Sequence, residues 1–476
     1  MTRLRLHVII PVTFLLLVAF VLGFHVEDVV ASKLDADTYL QSLRVLPQRL
    51  ESIIGYGSDA GGPILPLIKT YSSVMERLKA DYYFYDAKEK ELQARQAEND
   101  PENERPQINL ETQLTYDAIR GTLLALDDPF TRFLDPEQYK TMHEENKGDF
   151  QGIGAELGMN KDGEVYIVEP LEDKPAERAG IKKKDVIVAV DDEPIAALNI
   201  LEVVKKIRGD VGTKVKLTLR RSGRKKPFDV VIVRQVVPFQ MVKSEMLDKK
   251  NGIGYIRLSQ FNEKSDEQFD EALTALEKHN LRGLVLDLRG NPGGLLQVAV
   301  DIGSRFLEDG NVVIIQERGG RKNLLRVLPN KHNHKRYPLA VLVDKRSASA
   351  SEIVSGAIKD AGVGVLVGTT TFGKGRVQTI IVLRDGSAVA ITTAKYFTPN
   401  GTDIHKKGIE PDVVVEQRDA EEIRKDEGLD ETVEIEFSDH KYDDQLTKAV
   451  EVVKVEMGLL PRSVLKTPTK SAKADK

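Results

Sequence analysis

Residues 339–358 read LAVLVDKRSASASEIVSGAI, and the rest of the chain can be organised around this stretch. The apolar run Leu339–Val343 is typical of a buried strand, and Ile353–Ile358 is typical of a buried helix. Ser349 therefore lies between a strand and a helix N-terminus, which offers unpaired N–H groups and a partial positive charge. A serine there can attack a carbonyl group while the next N–H holds the oxyanion. Because serine also caps helices, the hexapeptide alone favours a structural role.

The second motif is FGKGRVQ at Phe372–Gln378. Its lysine lies between two glycines, which gives the backbone room to approach another element closely. A serine nucleophile needs a base, and a desolvated lysine whose pKa is lowered until it is neutral can act as one. In an extended segment the side chains of Lys374 and Gln378 share a face, so the amide can orient the amine.

Together, SASASEI at Ser347–Ile353 and FGKGRVQ at Phe372–Gln378 resemble the carboxyl-terminal processing (tail-specific) proteases. That family uses a serine–lysine dyad supported by a glutamine, and the resemblance runs from Tyr116 to Val415. It implies a serine endopeptidase. The residues that it assigns as nucleophile, general base and orienting residue are Ser349, Lys374 and Gln378.

Composition limits the function classes. The chain has 476 residues, 41% of them hydrophobic and 30% charged, as in soluble globular proteins with two or three domains. The net charge of -5 gives no reason to expect a nucleic-acid partner. Because the chain has no cysteine, disulfides, a thiol nucleophile and a cysteine-ligated zinc are excluded.

The N-terminus has the pattern of an export signal. Arg3 and Arg5 precede an apolar run from Val8 to Phe24, and a mostly polar chain follows. This pattern is typical of a signal peptide, with Val29–Ala31 as a cleavage site, or of an uncleaved membrane anchor. Because positive residues stay on the cytoplasmic side, we expect an extracytoplasmic protein, exported to the bacterial periplasm or anchored to the inner membrane.

The expected fold class is a multi-domain α/β protein with a helical N-terminal region, a β-rich PDZ domain with two helices, and an α/β protease core. The lead-in motifs LDDPF at Leu126–Phe130 and FLDP at Phe133–Pro136 also resemble the family, although alone they would be turn residues. The predicted division is 1–31 signal peptide or membrane anchor, 32–147 helical N-terminal region, 148–235 PDZ domain, 236–417 α/β protease core, and 418–476 charged C-terminal helix with a disordered tail.

Residues 148–235 resemble a PDZ domain. Phe150–Leu157, FQGIGAEL, would form the loop that binds a terminal carboxylate and the strand that receives the peptide. Its glycines allow a tight turn that aims successive N–H groups at the carboxylate. The expected partners are therefore protein substrates with a free, apolar C-terminus. The predicted peptide-binding residues are Gly152, Ile153, Gly154 and Ala155.

Residues 236–416 alternate strands with helices, which predicts a sheet with helices packed on its faces. The segment RGNPGG at Arg289–Gly294 lies between a predicted strand and a predicted helix. Alone, its composition favours an ordinary turn. The family resemblance instead places oxyanion donors in this loop and at the N–H of Ala350, and it leaves the choice between Gly293 and Gly294 open.

Other functions fit parts of the pattern. Residues Gly368–Lys374 match a phosphate-binding loop, but Gly375 stands where that loop needs Ser or Thr, and a strand is predicted to follow. The main alternative is a catalytically silent or partner-activated PDZ adaptor. His332 and His334 lack an evident third metal ligand, so a solvated loop is the better interpretation. His405 is expected to support the structure, because the family's base is a lysine.

The predicted mechanism needs no metal, nucleotide or other cofactor. Neutral Lys374 takes the proton of Ser349, and an acyl-enzyme forms that water then hydrolyses. The other expected partners are an activating adaptor, a second copy of the chain, and the membrane through the N-terminal segment. A tail bound in the PDZ groove could also gate the active site.

Overall fold

The computed structural model describes residues 64–99, 107–196, 198–331, 334–428, 430 and 440–466. The predicted signal peptide or anchor lies outside these residues. The tail after Pro461 was predicted to be disordered, but its first residues, Arg462–Lys466, form a 3-10 helix, and only the rest of it lies outside the described residues. No helix within these ranges has both the length and the apolar character needed to span a membrane. The chain divides into two compact units between Thr115 and Tyr116.

Eleven α-helices lie in the described ranges, and several begin at a capping residue. Asp135 accepts a hydrogen bond from the N–H of Gln138, and Asn199 accepts two, from the N–H groups of Leu201 and Glu202. The helices are α1 (Ile64–Asp81), α2 (Tyr85–Asn99), α3 (Leu110–Leu124), α4 (Pro136–Lys147), α5 (Pro175–Arg178), α6 (Ile200–Ile207), α7 (Ser265–Lys278), α8 (Leu296–Ser304), α9 (Ala350–Ala361), α10 (Ala420–Glu427) and α11 (Asp444–Glu456).

Nineteen strands lie in the same ranges and form four sheets. The strands are β1 (Arg132–Leu134), β2 (Asp149–Gly152), β3 (Ala155–Met159), β4 (Val165–Pro170), β5 (Val186–Val190), β6 (Glu193–Pro194), β7 (Lys214–Arg220), β8 (Phe228–Val233), β9 (Gln235–Pro238), β10 (Val242–Asp248), β11 (Ile253–Leu258), β12 (Gly283–Asp287), β13 (Asn311–Glu317), β14 (Lys322–Arg326), β15 (Leu339–Val343), β16 (Val365–Gly368), β17 (Arg376–Val382), β18 (Ala388–Phe397) and β19 (Val413–Val414).

The first unit consists of α1, α2 and the start of α3 in its described part. Lys79 and Glu111 form an ion pair of 3.2 Å between α1 and α3. The Gln96 side chain exchanges two hydrogen bonds with the backbone of Ile108, which ties the segment before α3 to α2. The predicted helical character of this region is confirmed.

The PDZ fold occupies the start of the second unit. Its sheet has the order β3-β4-β5-β7-β8, with β6 paired to β5, so β3 lies at an edge. Apolar side chains alternate along β7, where Val215, Leu217 and Leu219 are fully buried. Strands β2 and β9 pair antiparallel where the chain enters and leaves the domain. The predicted PDZ fold is confirmed.

The core sheet has the order β10-β11-β12-β15-β16-β19. All its strands are parallel except β10, which runs antiparallel to β11. Every residue of β12 and β15 is buried, as parallel strands covered on both faces require. Leu284 and Leu286 face the cluster that includes α7, α8 and α9, whereas Val285 faces α11. The predicted α/β core is therefore confirmed.

An antiparallel sheet adjoins this core, with the order β1-β18-β13-β14 and β17 also paired to β18. β17 and β18 form the hairpin predicted around Asp385–Ser387, with Val382 opposite Ala388. β1, from the lead-in motif, pairs with β18 through Leu134, which also lies opposite Ala388. The strand–helix alternation did not predict this sheet, which brings the lead-in next to β18, the strand that also pairs with β17 after Lys374.

The C-terminal helix α11 packs on the open face of the core sheet. Its residues Leu446, Ala449 and Val452 are buried against β12 and β15. The sequence predicted an amphipathic helix here but assigned it to a region outside the core. A helical period reveals an apolar face, whereas it does not reveal what covers that face.

Candidate active site

Ser349 occupies a sharp turn between β15 and α9. It is the residue immediately before the helix, and its backbone has φ 55° and ψ −112°. A positive φ is costly for a residue with a side chain, and such strain persists only where the surroundings impose it. A strained strand-to-helix turn of this kind presents a nucleophilic serine at the end of a sheet.

The structure distinguishes Ser349 from the two other serines of its motif. Ser347 and Ser351 are fully buried. Their hydroxyls donate to the carbonyl oxygens of Leu288, at 2.8 Å, and Asn291, at 3.0 Å. Ser349 is half-buried, and its hydroxyl donates no hydrogen bond to any of the described residues. Its hydroxyl alone of the three is therefore placed to react.

Glu352 connects the serine turn to the lysine loop. Its carboxylate is fully buried and accepts hydrogen bonds from the backbone N–H groups of Ser349, at 2.9 Å, and Lys374, at 2.8 Å. Gly373 N–H and the Thr371 hydroxyl also donate to it, each at 2.6 Å. Sequence reasoning quoted Glu352 within the motif but gave it no role. The signal was a glutamate three residues into a helix, the position from which a side chain reaches back to the cap.

Lys374 lies in the loop before β17 with its side chain half-buried. Its Nζ is 5.2 Å from the centre of the Phe130 ring. Burial lowers the pKa of Lys374, and Arg132 lowers it further, whereas Glu352 and Asp128 oppose the shift. A lowered pKa is what a lysine base requires. Within the described residues, however, the ammonium makes no hydrogen bond to the Ser349 hydroxyl.

Gln378 lies on β17, close to Lys374 in sequence. Its Nε2 donates to the hydroxyl of Thr392 on β18 at 3.3 Å. A register shift between Val377 and Gln378 interrupts the strand, and Lys374 precedes the strand altogether. The alternation of side chains along a regular strand therefore does not place Lys374 and Gln378 on the same face. No hydrogen bond joins their side chains in the described part of the chain, so the orienting role of Gln378 stays a prediction.

The lead-in motif forms one wall of the lysine site, which sequence reasoning missed. Asp128 accepts hydrogen bonds from the Thr131 hydroxyl, at 2.7 Å, and the Phe130 N–H, at 3.1 Å. Thr131 in turn accepts a bond of 3.0 Å from the N–H of Thr392. Burial opposes ionisation of Asp128, but hydrogen bonds from Thr131 and Thr392 hold its pKa below the ordinary value. The motif thus fixes the Phe130 ring against Lys374.

The glycine loop Arg289–Gly294 contacts the serine turn directly. A β-carbon at Gly293 would lie 2.7 Å from Ser349 Cβ, so only glycine permits this approach. The N–H of Gly293 already donates to Asn291 Oδ1 at 2.9 Å. The N–H groups of Gly294 and Ala350 have no acceptor among the described residues. This difference favours Gly294 over Gly293 as the partner of Ala350.

The predicted peptide-binding residues lie where β2 leads into β3. Ile153 is buried, and its carbonyl accepts a bond of 2.8 Å from Ala176. Gly154 has φ +74°, and a β-carbon there would lie 2.4 Å from Lys174 Cβ. Ala155 begins β3, whose second edge is unpaired within the described sheet. Such an edge can accept an extended peptide, and Gly152 and Gly154 let the preceding loop turn tightly.

Neither His334 nor His405 makes a side-chain hydrogen bond to Ser349 in the described part of the chain. The His405 ring is 6.1 Å from the Phe130 ring, and burial lowers the pKa of His405. His334 Nε2 contacts Asp270 at 3.0 Å, and His332 lies outside the described residues. No three side chains of His, Asp or Glu are grouped to hold a metal ion in the described part of the chain.

Comparisons with known proteins identify two regions. The family model "Peptidase family S41" matches residues 252–415, and the model "PDZ domain" matches residues 151–232. "Carboxy-terminal processing protease CtpB" of Bacillus subtilis is 42% identical over 304 residues, covering 63% of this chain and 63% of that protein.

Two further relatives are matched over more of their own length. "Carboxyl-terminal-processing protease" of Synechocystis sp. is 40% identical over 306 residues, covering 64% of this chain and 71% of that protein. "Carboxy-terminal-processing protease" of Bartonella bacilliformis is 40% identical over 310 residues, covering 64% of this chain and 70% of that protein. The match spans less than two thirds of the Bacillus subtilis protein.

Proposed function

Because the chain belongs to peptidase family S41, among the carboxy-terminal processing proteases, we propose that it is a serine endopeptidase that selects proteins by their C-termini. The observation that carries the proposal is the strained turn at Ser349, whose backbone shares the buried carboxylate of Glu352 with Lys374. A lysine with a lowered pKa near a serine whose hydroxyl donates to none of the described residues is suited to a serine–lysine mechanism.

In the proposed reaction, neutral Lys374 takes the proton of Ser349 as Oγ attacks the scissile carbonyl carbon. The N–H groups of Gly294 and Ala350 donate to the oxyanion. When the tetrahedral intermediate collapses, the C–N bond breaks and the leaving amine takes the proton from Lys374. Water, deprotonated by Lys374, then attacks the acyl carbon, the ester C–O bond breaks, and Ser349 Oγ takes the proton back from Lys374, while Gln378 orients the lysine.

Substrate choice is assigned to the PDZ domain. A chain-terminal carboxylate would accept hydrogen bonds from N–H groups of the Gly152–Ala155 loop, and the residues before it would add a strand to β3. The expected substrates are proteins with a free apolar tail. The predicted domain boundaries, the extracytoplasmic location, and contacts with a membrane, an adaptor or a second copy belong to the same proposal.

The direct test uses the full chain with an unfolded protein substrate that ends in an apolar tail. Ser349→Ala and Lys374→Ala should each abolish cleavage, and EDTA should have no effect on the unaltered chain. Ser355→Ala, a buried serine of α9, is the matched control and should retain activity. If the Ser349→Ala variant still cleaves the substrate, Ser349 is not the nucleophile.

A partner-activated form is the second candidate. It is favoured by one observation, that Lys374 Nζ lies over the Phe130 ring without a hydrogen bond to Ser349 in the described structure. If the unaltered chain binds tail peptides but cleaves nothing, adding membrane or periplasmic partner proteins should restore cleavage. A chain that stays inactive with every partner would instead be an adaptor.

A further inference from the structure

We propose that Asp443, the residue that caps α11, is a positioning residue for the oxyanion loop Arg289–Gly294. It acts through Arg289, the first residue of that loop. The proposal rests on the proposed function, because it assigns a residue that supports the same reaction from the opposite end of the chain. The match to the S41 family model ends at residue 415 and does not cover α11. The proposal gives this helix a role in positioning the oxyanion loop.

The contact between Asp443 and Arg289 is a two-pronged ion pair. Arg289 Nη1 donates to Asp443 Oδ1 at 2.8 Å, and Nη2 donates to Oδ2 at 2.7 Å. The same guanidinium also bonds Asp287, through Nε at 3.0 Å and Nη2 at 2.7 Å. The Arg289 side chain is only 12% exposed, Asp443 7% and Asp287 0%. A planar guanidinium held between two carboxylates has a fixed orientation.

Arg289 is joined to the proposed oxyanion donors through the backbone of the loop, and hydrogen bonds tie this loop to the Ser349 turn. The next residue, Gly290, donates its N–H to Asp344 at 2.9 Å. Asn291 is fully buried, and its carbonyl accepts from Ala348 N–H at 3.0 Å while its side chain holds Gly293. A shift of Arg289 would therefore move the loop relative to the Ser349 turn. Hydrogen-bond donors stabilise an oxyanion only when they are fixed in the correct place.

Asp443 performs two functions that a substitution can separate. Its Oδ1 also accepts a bond of 2.8 Å from the N–H of Leu446, which caps α11. Serine caps a helix nearly as well as aspartate but has no carboxylate for Arg289. In Asp443→Ser we therefore expect α11 to remain folded while Arg289 keeps Asp287 and a bond of 3.1 Å to Gln445 Oε1. Both bonds to Asp443 are lost, and the loop gains freedom.

Asp444 provides a matched control on the same helix. Its carboxylate accepts from Arg418 at 2.7 Å and 2.9 Å, and its side chain is 14% exposed, so it forms a similar, somewhat more exposed ion pair. It makes no contact with Arg289 in the described structure. Asp444→Ser should therefore destabilise the helix end without moving the loop.

The experiment compares the full chain with these two variants in two measurements. In steady-state cleavage, Asp443→Ser should lower kcat by about ten- to a hundred-fold with KM nearly unchanged, whereas Asp444→Ser should stay within about two-fold. In amide hydrogen exchange, the segment 289–294 should exchange faster in Asp443→Ser only. Thermal unfolding of both variants identifies a temperature at which all are folded.

Each result decides the proposal. Equal kcat for the two variants would overturn it, and so would a loop that exchanges faster without any loss of kcat. Equal exchange in segment 289–294 would show that Asp443 does not hold the loop. If the unaltered chain cleaves nothing, the proposed function fails separately, and the exchange comparison still tests whether α11 fixes this loop.

Discussion

The buried carboxylate of Glu352 accepts a hydrogen bond of 2.8 Å from the backbone N–H of Lys374. The same oxygen accepts a hydrogen bond of 2.9 Å from the N–H of Ser349, so one side chain sets the distance between the serine turn and the lysine loop. Tyr396 also directs its hydroxyl to this oxygen, at 3.4 Å. Two segments that are separate in sequence thereby become one site through a residue with no proposed role in proton transfer.

Glu352→Gln is expected to lower kcat by about a hundred-fold. The glutamine amide would point N–H groups at backbone N–H donors, and each buried donor left without an acceptor costs about 1–3 kcal/mol. Steady-state kinetics together with thermal unfolding would check this. Glu277→Gln is a suitable control, because that carboxylate is partly buried and accepts a hydrogen bond from Tyr337. Equal activity of the two variants would contradict the role given to Glu352.

Activity should rise with pH as Lys374 loses its proton, because only the neutral amine can accept the proton of Ser349. Burial and Arg132 lower the pKa of Lys374. Arg132→Gln removes a positive charge, which makes the ammonium easier to form and raises that pKa. The acid limb of the kcat/KM profile should therefore move to higher pH.

The exposed Arg384, in the turn between β17 and β18, provides the control for this prediction. Arg384→Gln also removes one positive charge, but Arg384 is not among the charges that act on Lys374. Its profile should match that of the unaltered chain. An acid limb that moves to lower pH in Arg132→Gln, or moves equally in both variants, would argue against Lys374 as the base.

Gly293→Ala is expected to abolish most activity. The added β-carbon would lie 2.7 Å from both Ser349 Cβ and the Ala348 carbonyl oxygen, and φ is +101°. Gly290→Ala is the control that has backbone strain without a steric clash. Its φ is +71°, but the atom nearest to the added β-carbon is a nitrogen of the flexible Arg346 side chain, at 3.7 Å. It should cost about 1 kcal/mol of stability and retain most activity. Similar kcat values would show that the loop does not need its contact with Ser349.

A substrate with a C-terminal carboxamide should have a KM about ten-fold higher than the same substrate with a free carboxylate. Hydrogen bonds to a charged group are worth about 1.5–3 kcal/mol, and the amide loses that charge. The difference should vanish in Gly154→Ala, whose β-carbon would lie 2.4 Å from Lys174 Cβ.

Gly163→Ala is the matched control for that variant. It has φ +77°, close to the +74° of Gly154, but its added β-carbon meets no atom within 4 Å. It should therefore still distinguish the two tails. If the unaltered chain cleaved both substrates with equal KM, carboxylate recognition by the PDZ domain would be wrong.

Local patterns in the sequence were sufficient for the folds of the two main domains. The all-apolar run Leu339–Val343 is typical of a strand covered on both faces, and the alternation along Val215–Leu219 is typical of a strand with one buried face. The turn at Ser349 and the glycine loop Arg289–Gly294 were also found, because strand ends and helix starts have compositions that report backbone geometry. Long, specific motifs supplied the family.

Contacts between segments that are distant in sequence could not be predicted from such local patterns. Glu352, Phe130 and Asp128 act on Lys374 through contacts between segments far apart in sequence, and no periodic pattern encodes which surfaces meet. The preference for Gly294 over Gly293 as the proposed oxyanion donor rests on a tertiary contact, the bond from the N–H of Gly293 to the Asn291 side chain. Likewise, the sequence determined that α11 is amphipathic, but only tertiary packing placed it on the core sheet and brought Asp443 to Arg289. Local conformation follows from neighbouring residues, whereas the site depends on the burial of whole faces, which is a property of the complete fold.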